Sequence, residues 1–457
     1  MWQSIRLMNP RFVSLLACIK GLSLLDADHV ASAQTAWEDP LQGLPLMASY
    51  DVPPTRHNAE VWGFARAESG QLWIGSDELF LFNGETRETV ALPFETYAVR
   101  ALTHDASGRL WIGAIGEIGH FERTATSGWS YVSARDDLQA VGVDDVRVWE
   151  AHPTPQGVVF VADDQVLRWN GTRFERWPMP SSAWLRATRD RDVLWIVQPG
   201  VGVFRMTAEG PRMVLAAADL PDPSIGWILG SRLNDSAPFL VGGTEGVYRR
   251  QDNGWTKLER LSTILAGRSP WRIVALDDTT VAIGTALGGV VIGSIDDRVL
   301  AVLDRANSLP NDSVASLWLD ERNKQLWIGY VGGMSRVDAR GGTSVFDMRN
   351  GLQDAPALKT VLHRQRTFVL GRGLSQLTPR QDGQAAVARQ LFRLPTPLSD
   401  ALSTRGNHSA KHQNHWRRHA SFRCRAGPRV RAVFRKSRGA DAGPTDAEWL
   451  PLAKTSG

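Results

Sequence analysis

Leu326-Trp327-Ile328-Gly329-Tyr330 decides how this chain is read, because Leu-Trp-Ile-Gly-Ser begins at Leu72 and Leu-Trp-Ile-Gly-Ala begins at Leu110. Weaker copies begin at Val158 (VVFVA), Leu194 (LWIVQ), Phe239 (FLVGG), Val281 (VAIGT) and Phe368 (FVLGR), at successive spacings of 38, 48, 36, 45, 42, 45 and 42 residues. A steady period of this length signals a repeat architecture, in which small units stack into one body and chain length stops counting domains. The flanks of each copy recur as well. Upstream lies a second short apolar run, as in Val61-Trp62-Gly63-Phe64, Val148-Trp149, Trp184-Leu185, Trp227-Ile228-Leu229, Trp271-Arg272-Ile273-Val274 and Val314-Ala315-Ser316-Leu317-Trp318. Downstream lies a third, usually after Gly, as in Gly202-Val203-Phe204, Gly246-Val247-Tyr248, Gly289-Val290-Val291, Gly333-Met334 and Gly373-Leu374.

These runs are short, rich in Val, Ile, Trp and Phe, and separated by turn residues such as Asp105-Ala106-Ser107-Gly108, Phe82-Asn83-Gly84 and Trp169-Asn170-Gly171. That is the pattern of antiparallel strands joined by tight turns. Three or four strands per repeat is what a propeller blade requires, with blades packed face to face and ring closure protecting the sheet edges. The expected fold is all-β, a propeller of seven or eight four-stranded blades over residues 34–400, with repeats centred near 74, 112, 160, 196, 241, 283, 328 and 370. One blade is expected to be completed by chain from the other end. An open solenoid is the alternative arrangement of the same repeats. The middle runs are expected to be buried on both faces, and the Gly that ends each of them to serve either positive φ or close approach of the next backbone.

The formal charge of +4 is unevenly spread. From residue 401 onward nine Arg and three Lys face two Asp and one Glu, a surplus of nine, which leaves the preceding 400 residues with five excess negative charges. A mildly acidic body with a basic tail implies no general nucleic-acid face. The two cysteines, Cys18 and Cys424, form neither a disulfide framework nor a zinc spacing. In residues 1–33, Arg6 and Arg11 precede an apolar run, Phe12 to Ile19, and Ala31-Ser32-Ala33 has the form of a cleavage site. Lys20, Asp26, Asp28 and His29 interrupt this signal, and Leu15-Leu16-Ala17-Cys18 is similar to a lipoprotein cleavage box. The expectation is export to the periplasm or beyond. No run of about 20 apolar residues is present to span a membrane as a helix.

Residues 307–339, NSLPNDSVASLWLDERNKQLWIGYVGGMSRVDA, closely resemble the two-component-regulator propeller repeat: Leu-Pro, Asn, Ser-Val, an apolar run, Asp, Leu-Trp-Ile-Gly and Gly-Gly. The stretch VWGFARAESGQLWIGSDELFLFNG, from Val61, resembles it too, and the resemblance covers about residues 55 to 385. It implies a ligand-binding sensor ectodomain outside the inner membrane. A triple-tyrosine β-sandwich would follow it, with a histidine kinase, diguanylate cyclase or DNA-binding output. None of these output motifs is in the sequence, so catalysis is not expected. Residues 401–457 depart from the family pattern as a basic, low-order tail. Within it, Asp446-Ala447-Glu448-Trp449-Leu450-Pro451-Leu452 looks like a triple-tyrosine remnant. A truncated or frame-disrupted product is expected from this, with an incomplete last blade.

Few residues stand out as carriers of chemistry. His408, His412, His415 and His419 have helical spacing but no carboxylate or thiolate partners, so no metal and no cofactor is expected. Asp105 to Trp111 resembles the Asp-box hairpin, in which Asp shapes a turn. Trp73, Trp111, Trp195 and Trp327 hold one repeat position and are expected in the core, whereas Trp129, Trp177 and Trp255 lie in less regular segments and are the candidates for an exposed sugar-stacking surface. Asp144, Asp145, Glu245 and Asp312 are acids that an enzymatic propeller would bring to its channel mouth, although no spacing rule says that they converge. No catalytic set is named and the ligand-binding residues are left unassigned. The expected partners are an extracytoplasmic ligand such as an oligosaccharide, a second copy of the chain, or a membrane signalling protein, without specific nucleic-acid binding. A protein-interaction scaffold is the alternative function, and a propeller lyase or glycoside hydrolase the third.

Overall fold

The computed structural model describes residues 43–393, apart from 53–58, 125–127, 181–183, 231–237, 252–253, 342–343, 353–358, 364–365, 372 and 380–385. The expectations placed on the leader 1–33 and on the tail 401–457, including its histidines, lie outside the described residues. Eight four-stranded antiparallel sheets match the eight repeats. They span 63–90, 99–133, 148–178, 186–216, 227–257, 270–303, 314–338 and 359–393. Each copy of the pentapeptide is the second strand of its sheet, for example Leu72–Gly75, Leu110–Ala114 and Gln325–Tyr330.

Seven of the sheets close into a ring. The first strand of each blade packs against the first strand of the next, and Val314–Asp320 of the seventh packs against Gly63–Arg66 of the first. The seventh blade receives its fourth strand from the N-terminal side: Met47–Asp51 pairs with Gly333–Asp338, from Met47 against Val337 to Asp51 against Gly333. The seam is then tied at several levels. Val52 N–H donates to Gly332 O at 2.9 Å and Val61 N–H to Tyr330 O at 3.3 Å. Ser316 Oγ donates to Val61 O at 2.7 Å, and Arg66 pairs with Asp320. Apolar packing continues across it, with Val61, Phe64 and Phe82 buried against Trp327 and Met334. A strand taken from one end of the chain thus removes the open edge that a ring of sequential blades would leave.

The eighth sheet stands outside this ring, since the seventh blade meets the first directly. It is complete in its four strands, so the expected unfinished blade is not what the chain forms. Val369, Leu377 and Ala388 of this sheet bury a small cluster against Phe346 and Leu352, and Asn350 Nδ2 donates to Ala386 O at 3.3 Å.

The second strands are buried along their length, as the continuous apolar runs require. Their closing glycines have an ordinary negative φ, and close approach explains them instead. A Cβ on Gly75 would lie 2.4 Å from Val99 O, one on Gly113 2.5 Å from Val148 Cγ1, and one on Gly329 2.3 Å from Ser316 Oγ and 2.4 Å from Val61 O. Most of these atoms belong to the inner strand of the following blade, so Gly sits where two blades nearly touch.

Candidate functional site at the mouth of the central channel

The inner strands enclose a channel of about 1270 Å³. Register shows what its wall carries. Opposite the fourth residue of each pentapeptide stand Gly63, Ala101, Glu150, Arg186, Trp227, Arg272 and Ser316. One residue earlier come Trp62, Arg100, Trp149 and Trp271. Five blades therefore deliver indoles and guanidiniums to one end of the channel, where the inner strands begin.

These side chains interleave. The Arg100 guanidinium lies 3.8 Å from the Trp149 ring centre and 5.2 Å from that of Trp62. Trp149 packs at 4.7 Å and a 31° tilt against Trp184, which is 53% exposed at the rim. Arg186 follows, 5.4 Å from Trp184 and 5.3 Å from Trp271, and Arg272 lies 4.6 Å from Trp271. Such cation–π contacts contribute about 0.5–2 kcal/mol each, more as water is excluded. The indole N–H groups are anchored elsewhere, Trp149 Nε1 donating to Asp163 Oδ1 at 2.5 Å and Trp271 Nε1 to Val314 O at 2.8 Å.

Glu150 is the acid at the centre of this group. It is buried, pairs with Arg272 from the sixth blade, and accepts from His152 Nε2 and the Ala187 N–H, each at 3.1 Å. Burial alone would raise its pKa; the charge of Arg272, the hydrogen bond and charge of His152, and Arg186 outweigh burial and hold it at about 2. Burial followed by the like charge of Arg272 brings Arg186 down to about 10. Glu60 is pushed up by burial despite nearby Arg100, and burial lowers Arg100. Asp163 pairs with Arg147 at 3.1 Å.

The acids considered from sequence do not join this group. Asp144 and Asp145 are exposed ahead of the third blade, and Glu245 is exposed with its N–H on Asp222 Oδ2 at 3.1 Å. Asp312 accepts from the Arg305 N–H at 2.8 Å, and none of the four lines the channel. Trp129, Trp177 and Trp255 sit half-buried on the fourth strands of three different blades. Trp129 meets Trp73 at 5.1 Å, Trp177 lies under Arg168 at 5.0 Å, and Trp255 Nε1 donates to Asp219 O at 3.1 Å. They form no common surface. Asp105 is the turn former that its motif suggested, its carboxylate accepting from Ser107, the Arg109 N–H and side chain, and Trp111 Nε1. Among the described residues no group of three His, Cys, Asp or Glu side chains is placed to hold a metal. Sequence reasoning passed over Trp62, Trp149, Trp184 and Trp271, which it registered only as flanks. The available signal was their recurrence at or just ahead of the start of the inner strands, beside Arg100, Arg186 and Arg272.

No protein-family model and no curated protein matches the chain. Solved structures do. The extracellular domain assigned to a hybrid two component system of B. thetaiotaomicron superposes with a TM-score of 0.53 at 16% identity, over 76% of this chain and 50% of that one. Virginiamycin B lyase from Staphylococcus aureus, in a catalytically inactive form with quinupristin, superposes with a TM-score of 0.50 at 14% identity, over 64% of this chain and 99% of that one. The shared feature is the β-propeller, the fold that the two-component-regulator repeat implies, and the chain spans half the length of that extracellular domain.

Proposed function

We propose that this chain is a non-catalytic sensor propeller that works outside the cytoplasm and recognises a signal molecule, glycan-derived, at the indole and guanidinium mouth of its channel. The observation that carries this reading is the convergence of Trp62, Trp149, Trp184 and Trp271 from separate blades onto one opening, since indole faces stack on sugar rings and cluster in recognition sites. The repeat's resemblance to two-component regulators and the fold it shares with an extracellular sensor domain support the role and the location. Among the described residues no helix is long and apolar enough to cross a membrane. A thermal-shift screen of the full chain against oligosaccharides tests it, because a ligand that binds only the native state raises Tm by mass action. The expected result is a shift for one glycan class that disappears in Trp149→Ala. A folded chain with no shift for any glycan would count against the reading.

One observation favours a second reading, a propeller lyase. His152, Glu150 and Arg272 converge in the channel, as an acid–base site would require. Glu150 is, however, fully engaged by its partners, and a carboxylate held near 2 is a weak base at neutral pH. Turnover of a bound ligand that is lost in His152→Ala would establish the lyase.

A further inference from the structure

Donors and acceptors at the channel mouth do not balance, and the imbalance points to a ligand chemistry. Two acids at the mouth are already engaged, while Glu60 acts on Arg100 through its charge. Glu150 Oε1 takes Arg272 and Oε2 takes His152 and the Ala187 N–H, while Asp163 takes Trp149 and Arg147. The donors are not all engaged. Arg100 lies between Trp149 and Trp62, and Arg186 between Trp184 and Trp271, and Arg100 Nε and Arg186 Nη1 are enclosed with no acceptor among the described residues. These two nitrogens are closed to solvent, so a ligand is met by the remaining nitrogens of the same guanidiniums. Each guanidinium lies against indole rings, and the N–H groups it still offers match the two oxygens of a carboxylate or sulfate. Arg186 also shares the single charge of Glu150 with Arg272, so a second anion would relieve the repulsion between them. The exposed face of Trp184 and the half-buried Trp62 stand beside those guanidiniums and suit a flat saturated ring.

We propose that the mouth takes a sugar-like ring bearing a carboxylate or sulfate, with the acidic group received at the guanidinium N–H groups of Arg100 and Arg186 and the ring lying on Trp62 and Trp184. The inference rests on the reading of the mouth as the recognition site and goes beyond it in naming charge. Tryptophan fluorescence and calorimetric titration of the full chain test it, with a uronate disaccharide, a sulfated disaccharide, a neutral disaccharide of the same size, and inorganic sulfate. Either acidic disaccharide is expected to bind, about tenfold or more tighter than the neutral sugar, because charged hydrogen bonds of this kind carry at least that factor. The advantage is expected to vanish in Arg186→Gln and in Arg100→Gln, two variants so that unfolding of one leaves the other as the test, with circular dichroism verifying the fold. Uronate and sulfated arms distinguish the two sources of the anion, and sulfate alone binding as tightly as the disaccharides would overturn the role of the ring. Equal binding of neutral and acidic sugars, abolished by Trp149→Ala, would overturn the charge assignment and leave the sensor reading standing. Silence of both acidic sugars would overturn the proposal, and silence of all three disaccharides the sensor reading with it.

Discussion

Glu150 shows how one residue can serve structure and site together. Its carboxylate ties the third blade to the sixth across the channel through Arg272, and its neighbours hold it far below the ordinary carboxylate value of 4.5, at about 2. The sign of the pH dependence follows. A depressed folded pKa means that the interaction is fully present above about 4.5 and fades as the pH falls toward 2. Glu150→Gln leaves Arg272 and Arg186 facing each other without a counter-charge, a loss of about 3 kcal/mol or more for a buried pair. Chemical denaturation at neutral pH is expected to register this loss, and Glu150→Gln with Arg272→Met to recover much of it. Equal stability of wild type and the single variant would show that the pair contributes nothing. None of this was legible from sequence: Glu150 and Arg272 are 122 residues apart, and only ring closure makes them neighbours.

Strands and turns were far more legible. The repeated pentapeptide is the second strand in every sheet, and Trp73, Trp111, Trp195 and Trp327 are all within 2% of complete burial. The reason is local, because a strand buried on both faces must be apolar at consecutive positions whatever surrounds it. What the pattern left open was the job of the glycine. Close packing between blades decides it, so Gly113→Val should overpack the contact with Val148 and Ala101 and cost about 1–3 kcal/mol. The same change at the exposed turn glycine Gly84, where no atom lies within 4 Å but φ is +107°, separates packing from backbone strain. A thermal melt of both variants in which Gly113→Val leaves Tm unchanged would refute the close-approach account. The turns themselves were readable from Asn and Asp, as at Asn83, whose side chain accepts from the Glu85 and Thr86 N–H groups.

At the scale of the molecule, periodicity gave the number of sheets and could not say how they close. Eight repeats form seven blades in a ring and one sheet outside it, because Met47–Asp51 occupies the edge of the seventh blade. Ring closure then creates the channel mouth, which exists only once five blades place Trp62, Arg100, Trp149, Arg186, Trp271 and Arg272 at matching heights. That assembly was invisible in a linear reading in which the same tryptophans were flanks of a repeat. The functional proposal stands on ligand recognition at this mouth. Hydrogen exchange of the full chain with and without a saturating uronate disaccharide tests it most directly, since ordering a site slows exchange in the elements that carry it. The predicted result is added protection confined to the inner strands Val99–His104, Val148–Thr154, Arg186–Asp190 and Pro270–Ala275. Protection confined to the outer strands or to the sheet at 359–393 would contradict it.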